Sequence, residues 1–272
     1  MDYESGNGSQ FSFRTVESPP DEHGRVSEYT SVSAYVDNVA YTGKLDQHPD
    51  EVDEGELLNS LEPVPVECIH PLFQQEFTKA PPYDPEVHYL KSPSFTYDDC
   101  QPGKTFVAEC VLNEVKALEL IRKHPHPNLV KYYGCVVRDG RITALCLHRY
   151  PDTMVDYAYC GISGARASMF AYNIENGIHH LHSLGLAHND INESNICVDE
   201  HEQAVIVDFD SCLPFGEPLM KGTSACADLD AWVSSKENDL DYGLTTIEEF
   251  LPVETRKQKA DAEAEMADEL SS

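Results

Sequence analysis

The sequence of 272 residues predicts an α+β fold built as two lobes. Between residues 85 and 148, strand patterns surround a single helix pattern, whereas helix patterns dominate from residue 149 onward. Strands in the first part of a chain and helices in the second are typical of an α+β fold. The hydrophobic fraction of 41% is sufficient for a buried core at this chain length.

The first lobe is predicted from two short periodic patterns. Residues 87–91 alternate between apolar and polar side chains, which predicts a strand with Tyr89 and Lys91 on one face. Apolar residues then recur at spacings of four and three, which predicts an amphipathic helix with the stripe Val111, Val115, Leu118 and Ile121. Two prolines, Pro125 and Pro127, end this helix.

Further patterns complete the order of elements. Apolar runs at residues 129–137 and 142–148 flank an Asp-Gly pair, which predicts a β-hairpin. A helical stripe covers residues 167–183, and a short buried-type strand follows at residues 204–207. The last helix is predicted over residues 239–251.

The charge of the chain excludes several classes of partner. With 48 Asp and Glu against 19 Lys and Arg, the formal net charge is −29. A surface this acidic repels phosphates and anionic lipids, so we expect neither nucleic acid nor a membrane as a partner. No apolar run approaches the roughly 18–20 residues of a membrane span, and the sequence start carries no basic and apolar leader pattern.

The nine cysteines indicate the cellular compartment. Their number is odd and none are spaced as C-x-x-C, which disfavours a disulfide scaffold or a zinc module. We therefore expect a reduced, intracellular protein of the cytoplasm or nucleus.

The acidic residues divide the chain into three regions. Residues 1–60 contain thirteen Asp or Glu against three Lys or Arg, with few apolar residues, which predicts a mostly disordered arm. Residues 61–252 form the predicted folded domain, with its lobes meeting between residues 148 and 149. Residues 253–272 form a charged tail.

Two loops carry the strongest chemical signal. Residues 188–195, here called the HND loop, read H-x-D-x-x-x-x-N with Asp190 and Asn195 at the specified positions. Thirteen residues after Asn195, a strand runs into residues 208–210, here called the DFD segment. A carboxylate can accept a proton from a substrate hydroxyl, and an amide oxygen with a second carboxylate suits a hard divalent cation.

The two loops resemble the catalytic and metal-binding loops of protein kinases. The HPNLV run at residues 126–130 with Tyr133-Gly134, and the LHS-x-G run at residues 181–185, resemble segments of the same family. The resemblance covers about residues 85–252. It implies a two-lobed protein kinase-like fold with a reduced N-lobe and a truncated C-lobe.

The resemblance also implies a role for each motif residue. Asp190 is the expected catalytic base, and Asn192 stands where serine/threonine kinases carry a lysine that stabilises the transferring phosphoryl group. Asn195 and Asp208 are the expected ligands of Mg²⁺, which bridges the phosphates of ATP.

Residues outside the two loops receive roles in the same way. Lys91 resembles the lysine that holds the α- and β-phosphates of ATP, and Glu114 resembles its ion-pair partner. Asp239 resembles the buried aspartate that anchors the catalytic loop, and the hinge between the lobes is expected at residues 149–154.

The chain departs from the family pattern at several places. No G-x-G-x-x-G precedes Lys91, and no A-P-E segment lies between Asp208 and Asp239. Asn189 replaces an arginine, so regulation by activation-loop phosphorylation through that arginine is not expected. Asp210 replaces a glycine and adds a carboxylate near the metals.

Three functions follow from these residues. The first is an ATP- and Mg²⁺-dependent protein kinase that phosphorylates Ser or Thr hydroxyls, with an acidic field that favours basic protein substrates. The second is a catalytically impaired pseudokinase or scaffold, which the departures favour. The third is a small-molecule kinase of the choline or aminoglycoside phosphotransferase type, against which the HPNLV run argues.

Overall fold

The computed structural model describes residues 2–4, 10–17, 28–36, 39–46, 54–159, 162–220, 233–236 and 238–251. The predicted tail at residues 253–272 lies outside them. The chain divides into two compact units. The first comprises Met1–Gln74, Ser92–Leu112 and Val137–Ala144, and the second comprises Gln75–Lys91, Asn113–Val136 and Leu145–Ser272.

The described strands and helices alternate along the chain. The strands are β1 Asp2–Glu4, β2 Gln10–Glu17, β3 Glu28–Val36, β4 Val39–Leu45, β5 Glu62–Pro63, β6 His88–Lys91, β7 Tyr132–Arg138, β8 Arg141–His148, β9 Asp152–Thr153, β10 Leu186–Ala187, β11 Ile196–Val198, β12 Ala204–Ile206 and β13 Leu213–Pro214. The helices are α1 Glu54–Ser60, α2 Val66–Ile69, α3 Phe106–Lys123, α4 Met154–Tyr159, α5 Gly164–Ser183 and α6 Leu244–Phe250.

The first unit contains a five-stranded sheet in the order β1-β2-β3-β4-β5. Neighbouring strands are antiparallel, and β3 pairs with β4 from Thr30 opposite Leu45 to Val36 opposite Val39. A small apolar cluster forms around Val32. A larger cluster joins the sheet to later parts of this unit, and its buried members are Ala40, Val64, Cys68, Ile69, Phe95, Cys100 and Val107.

This sheet differs from the mostly disordered arm that the sequence predicts for residues 1–60. Strands β3 and β4 are held by partners distant in sequence: the hydroxyl of Tyr29 donates to Asp98 at 2.7 Å, and that of Tyr35 donates to the carbonyl of Pro93 at 3.0 Å. The sequence does not predict the strands that the structure describes within residues 1–60, because the composition of this segment does not reveal these contacts.

The part of the chain after Gln74 contains three small sheets. Their strand orders are β6-β8-β7, β12-β11-β9 and β10-β13. Strand β6 is antiparallel to β8, with Lys91 opposite Leu145. The predicted hairpin between β7 and β8 is confirmed, and its turn residues Asp139 and Gly140 have φ angles of 49° and 76°. Two consecutive left-handed residues suit a two-residue hairpin turn.

Helix α5 buries the predicted apolar stripe. Phe170, Ile174, Ile178 and Leu181 are fully buried. A Cβ at Gly177 would lie 2.9 Å from Cδ1 of Ile206, so the helix packs closely on β12. This packing places the HND loop, which follows the helix, beside the strand that leads to the DFD segment.

The end of the second unit differs in detail from the prediction. Residues Asn238–Gly243 form a π-helical segment, and α6 follows instead of one continuous α-helix over residues 239–251. None of the helices in the described part of the chain has the length and apolar character needed to cross a bilayer.

Candidate functional site

A cavity of about 370 Å³ in the second unit brings together three of the predicted site residues, Lys91, Asn195 and Asp208. The predicted hinge contributes Arg149, Tyr150 and Thr153 to its wall. The other lining residues are Tyr89, Val130, Leu147, His148, Ser194, Cys197 and Val207. The cavity therefore combines one polar end with a largely apolar wall, as small-ligand sites do.

The ammonium group of Lys91 connects two of the predicted acidic residues. Its Nζ lies 2.6 Å from Oε1 of Glu114 on α3 and 2.7 Å from Oδ1 of Asp208. Burial disfavours the charged ammonium, but Glu114, Asp208 and Asp210 outweigh burial, so the pKa of Lys91 is raised. Lys91 is therefore a fixed cation at neutral pH.

Glu114 is the most buried member of this group. Its side chain is only 4% exposed, and Oε1 also accepts a hydrogen bond of 3.2 Å from the backbone N–H of Phe209. Burial raises the pKa of Glu114; Asp208 and Asp210 add to the rise, while Lys91 opposes it. The ammonium of Lys91 thus contacts two carboxylates, and a third, that of Asp210, acts on it through its charge.

Asp190 is held by the two asparagines that follow it. Nδ2 of Asn192 lies 3.2 Å from Oδ1 of Asp190, and Nδ2 of Asn195 lies 2.9 Å from Oδ2. Burial raises the pKa of Asp190 against the opposing effects of His188 and Asn195. The carboxylate is therefore oriented and more basic than that of an exposed aspartate.

The backbone of the HND loop is fixed by a buried acid. Asp239 accepts hydrogen bonds from the backbone N–H groups of His188 at 2.8 Å and Asn189 at 2.7 Å. The ring of His188 packs edge-on against Phe209, with the ring centroids 4.9 Å apart. These contacts connect the HND loop to the DFD segment.

The donor set of Asn195 and Asp208 fits Mg²⁺. Asn195 directs its Nδ2 to Asp190, and its Oδ1 accepts no hydrogen bond from the described residues. One amide oxygen and one carboxylate leave positions for water and phosphate oxygens, which Mg²⁺ prefers to retain. The described residues contain no group of three or more His, Cys, Asp and Glu side chains that could hold a metal ion. A metal site formed entirely by such side chains is therefore not found among them.

Sequence reasoning missed some of the residues that surround the site. His148 lines the cavity, and its position as the last residue of a predicted strand is the signal that marks it. The sequence marks Asn192 only by the charge that it lacks, whereas the structure gives its amide a contact with Asp190. The sequence marks Asn189 only as the replacement of an arginine.

A protein-family model, Protein kinase domain, matches residues 98–227. This match and the kinase relatives support the assignment of this part of the chain to the protein kinase-like superfamily. The match includes Glu114, Asp190, Asn195 and Asp208 but begins after Lys91. The assignment of Lys91 therefore rests on its position in the structure. The mixed helices and sheets agree with a reduced protein kinase-like fold.

Similar proteins carry kinase names. The serine/threonine-protein kinase ppk8 of Schizosaccharomyces pombe is 30% identical over 100 residues, which are 36% of this chain and 19% of that protein. The mitogen-activated protein kinase kinase kinase 5 of Arabidopsis thaliana is 27% identical over 105 residues, 38% of this chain and 15% of that protein. The chain thus spans less than a fifth of the length of these relatives.

Among solved structures, the kinase PK-1 of Cydia pomonella granulovirus is similar with a TM-score of 0.40 and 17% identity. The similarity covers 46% of this chain and 49% of that chain.

Proposed function

We propose that this chain is an ATP-dependent phosphotransferase that acts as a protein kinase on Ser and Thr hydroxyls. The observation that carries the proposal is the position of Lys91. Its ammonium joins Glu114 to Asp208 on the wall of a 370 Å³ cavity that also includes Asn195. A cavity that contains a fixed cation, a carboxylate and an amide is suited to bind a nucleoside triphosphate together with its metal ion.

Lys91 would bind the α- and β-phosphates of ATP. Its own position is maintained by Glu114, whose buried carboxylate lies 2.6 Å from the ammonium. The ion pair thus keeps the ammonium on the cavity wall before a nucleotide arrives, which reduces the ordering cost of binding.

Asn195 and Asp208 would hold Mg²⁺. When bound, Mg²⁺ supplies positive charge that neutralises the phosphate oxygens during transfer. The negative charges of Asp208 and Asp210 attract a divalent cation to this position.

Asp190 would act as the base. The substrate oxygen bonds to the γ-phosphorus, the bond from phosphorus to the leaving diphosphate oxygen breaks, and the hydroxyl proton passes to Asp190. Asn192 and Asn195 orient the carboxylate through their amide groups. The neutral Asn192 provides no charge for the phosphoryl group, so Asn195 and Asp208 would supply it through the Mg²⁺ that they hold.

The protein substrates are expected to be basic. The net charge of −29 and the three aspartates of the two loops create a negative potential that attracts Lys- and Arg-rich peptides. An intracellular location agrees with the kinase names of the relatives and with the seven free cysteines of the described residues.

Turnover of labelled ATP tests the assignment of the base. The wild type, Asp190→Asn and the control Asp241→Asn are compared on a basic protein substrate, since Asp241 is exposed. We expect Asp190→Asn to lower kcat by roughly 10²–10⁴-fold and Asp241→Asn to leave it unchanged. Equal activity of wild type and Asp190→Asn would overturn the role of Asp190. A parallel assay with amino alcohols identifies a small-molecule kinase instead.

A second candidate is a catalytically impaired pseudokinase or scaffold. The neutral amide of Asn192, held at 3.2 Å from Asp190, favours it because serine/threonine kinases carry a cation at this position. Melting curves with and without ATP and Mg²⁺ separate the two. Stabilisation by ligand without turnover supports the scaffold, and no stabilisation contradicts nucleotide binding altogether.

A further inference from the structure

The side chain of Asn189 joins separate parts of the second unit. It is 3% exposed, and its Nδ2 lies 3.0 Å from the carbonyl oxygen of Ala187, 3.0 Å from that of Ser211 and 3.1 Å from Oγ of Ser234. Its Oδ1 accepts a hydrogen bond of 2.9 Å from Nδ2 of Asn238. One buried amide thus connects the HND loop to three other positions in the chain.

Two stretches of chain pair close to this amide. The N–H of Gly216 donates to the carbonyl of Ser234, and the N–H of Ser234 donates to the carbonyl of Glu217, both at 2.8 Å. Asn189 bonds to Ser211 just before this pairing and to Ser234 within it. It therefore bonds both to Ser211, which follows the DFD segment, and to one of the two paired stretches.

The backbone at Asn189 is specialised as well. Its φ angle is +64°, in the left-handed region that asparagine tolerates better than most residues. Its N–H donates to Oδ1 of Asp239 at 2.7 Å, which holds the backbone of this residue in place. Because the amide is neutral and its oxygen and nitrogen both have partners, the junction requires no counter-ion.

We propose that Asn189 is a positioning residue that holds the DFD segment against the HND loop. Asn189 adjoins Asp190 in sequence, and Ser211 follows the DFD segment directly. The hydrogen bond between Asn189 and Ser211 thus fixes the separation of the proposed base and the proposed metal ligand. The expected effect of Asn189 on catalysis rests on the proposed function. Its effect on the position of the DFD segment does not depend on that function.

Hydrogen exchange of the full chain tests the structural consequence. Asn189→Gly permits the left-handed φ and the backbone bond to Asp239 but removes every side-chain contact. The matched control is Asn128→Gly, because Asn128 is also buried and donates to the carbonyl of Ala204 at 2.8 Å. We expect amides of residues 208–217 to exchange roughly tenfold faster or more in Asn189→Gly and to remain unchanged in the control.

Kinetics test the catalytic consequence separately. We expect Asn189→Gly to lower kcat about 10- to 100-fold while KM for ATP changes less than about threefold, because the ammonium of Lys91 is untouched. Asn128→Gly should lower the melting temperature without this loss of kcat. If the wild type does not turn over ATP, the proposed function is contradicted. The hydrogen exchange of residues 208–217 then still tests whether Asn189 positions the DFD segment.

Unchanged exchange over residues 208–217 in a folded Asn189→Gly variant would overturn the proposal. If circular dichroism shows that this variant does not fold, Asn189→Asp replaces it. That substitution keeps the shape but turns a carboxylate oxygen toward the carbonyls of Ala187 and Ser211, so the same acceleration is expected. Wild-type exchange in Asn189→Asp would equally contradict the role of the amide.

Discussion

Nε2 of His182 lies 2.8 Å from Oδ2 of Asp239, and the two side chains are only 5% and 0% exposed. The same carboxylate accepts two backbone N–H groups of the HND loop. A buried carboxylate is tolerated only when hydrogen-bond donors replace the water that it loses. Helix α5 and the HND loop therefore depend on one acid for their relative position.

Asp239→Asn is expected to destabilise the second unit by about 2–4 kcal/mol. The amide keeps one acceptor oxygen but places an NH₂ group where three donors converge, so at least one donor loses its partner. Calorimetric melting measures the change, and Asp241→Asn is the control because Asp241 is exposed. An unchanged melting temperature for Asp239→Asn would show that the loop is held by other contacts.

Lys91→Met is expected to destabilise the chain by about 2–3 kcal/mol. It leaves the carboxylate of Glu114, 4% exposed, without its cation. The double variant Lys91→Met with Glu114→Gln should recover more than half of the loss, since no buried charge then remains unpaired at this position.

Melting curves with ATP and Mg²⁺ separate stability from nucleotide binding in these variants. Both variants should lose the ligand-induced rise in melting temperature, because neither has the ammonium that would bind phosphate. If the double variant remained as unstable as Lys91→Met, the cost would arise from packing rather than from the unpaired charge. A full ligand response without Lys91 would contradict its proposed role.

Several elements could be predicted because their signals are local. The stripe of α5 and the Asp-Gly turn each lie within one short segment, and both are present in the structure. The motif residues of the HND loop also lie close together, so spacing alone identifies Asp190 and Asn195. In such cases the residues that determine the structure are neighbours in the chain.

Contacts between distant residues could not be predicted in the same way. Strand β3 depends on Asp98, which follows Tyr29 by 69 residues. Asn189 meets Ser234 and Asn238 at separations of 45 and 49 residues, so its role as a junction leaves no local pattern. Propensity and periodicity describe segments, whereas these interactions require the folded chain.

The acid limb of the pH–rate profile should reflect Asp190. Burial raises the pKa of Asp190 above its ordinary value of 3.8, and only the carboxylate can accept a proton. As the pH falls through the raised pKa, kcat/KM should decline. This decline should occur at a higher pH than the decline expected if the base were an exposed aspartate. A limb at or below 3.8, measured while circular dichroism shows a folded chain, would contradict this assignment.

The same shift has a stability consequence of definite sign. An acid with a raised pKa favours its protonated form in the folded chain, so the folded state binds more protons than the unfolded state between the two pKa values. The contribution of Asp190 to the free energy of unfolding is therefore greatest below the unfolded pKa. It decreases as the pH rises through the folded pKa, and Asp190→Asn should remove this decrease.

Gly243→Ala is expected to separate the start of α6 from the HND loop. A Cβ at Gly243 would lie 2.5 Å from Cβ of Ile191, which is 1% exposed and adjoins Asp190. Because Cβ of Ile191 cannot rotate away, the backbone must move, at a cost of about 1–3 kcal/mol. The control is Gly185→Ala, where an added Cβ meets nothing within 4 Å and only the φ of +79° opposes it, at about 1 kcal/mol. Turnover and melting temperature should both fall in Gly243→Ala, whereas Gly185→Ala should lower only the melting temperature. Equal turnover in the two variants would show that Ile191 does not transmit the displacement to Asp190.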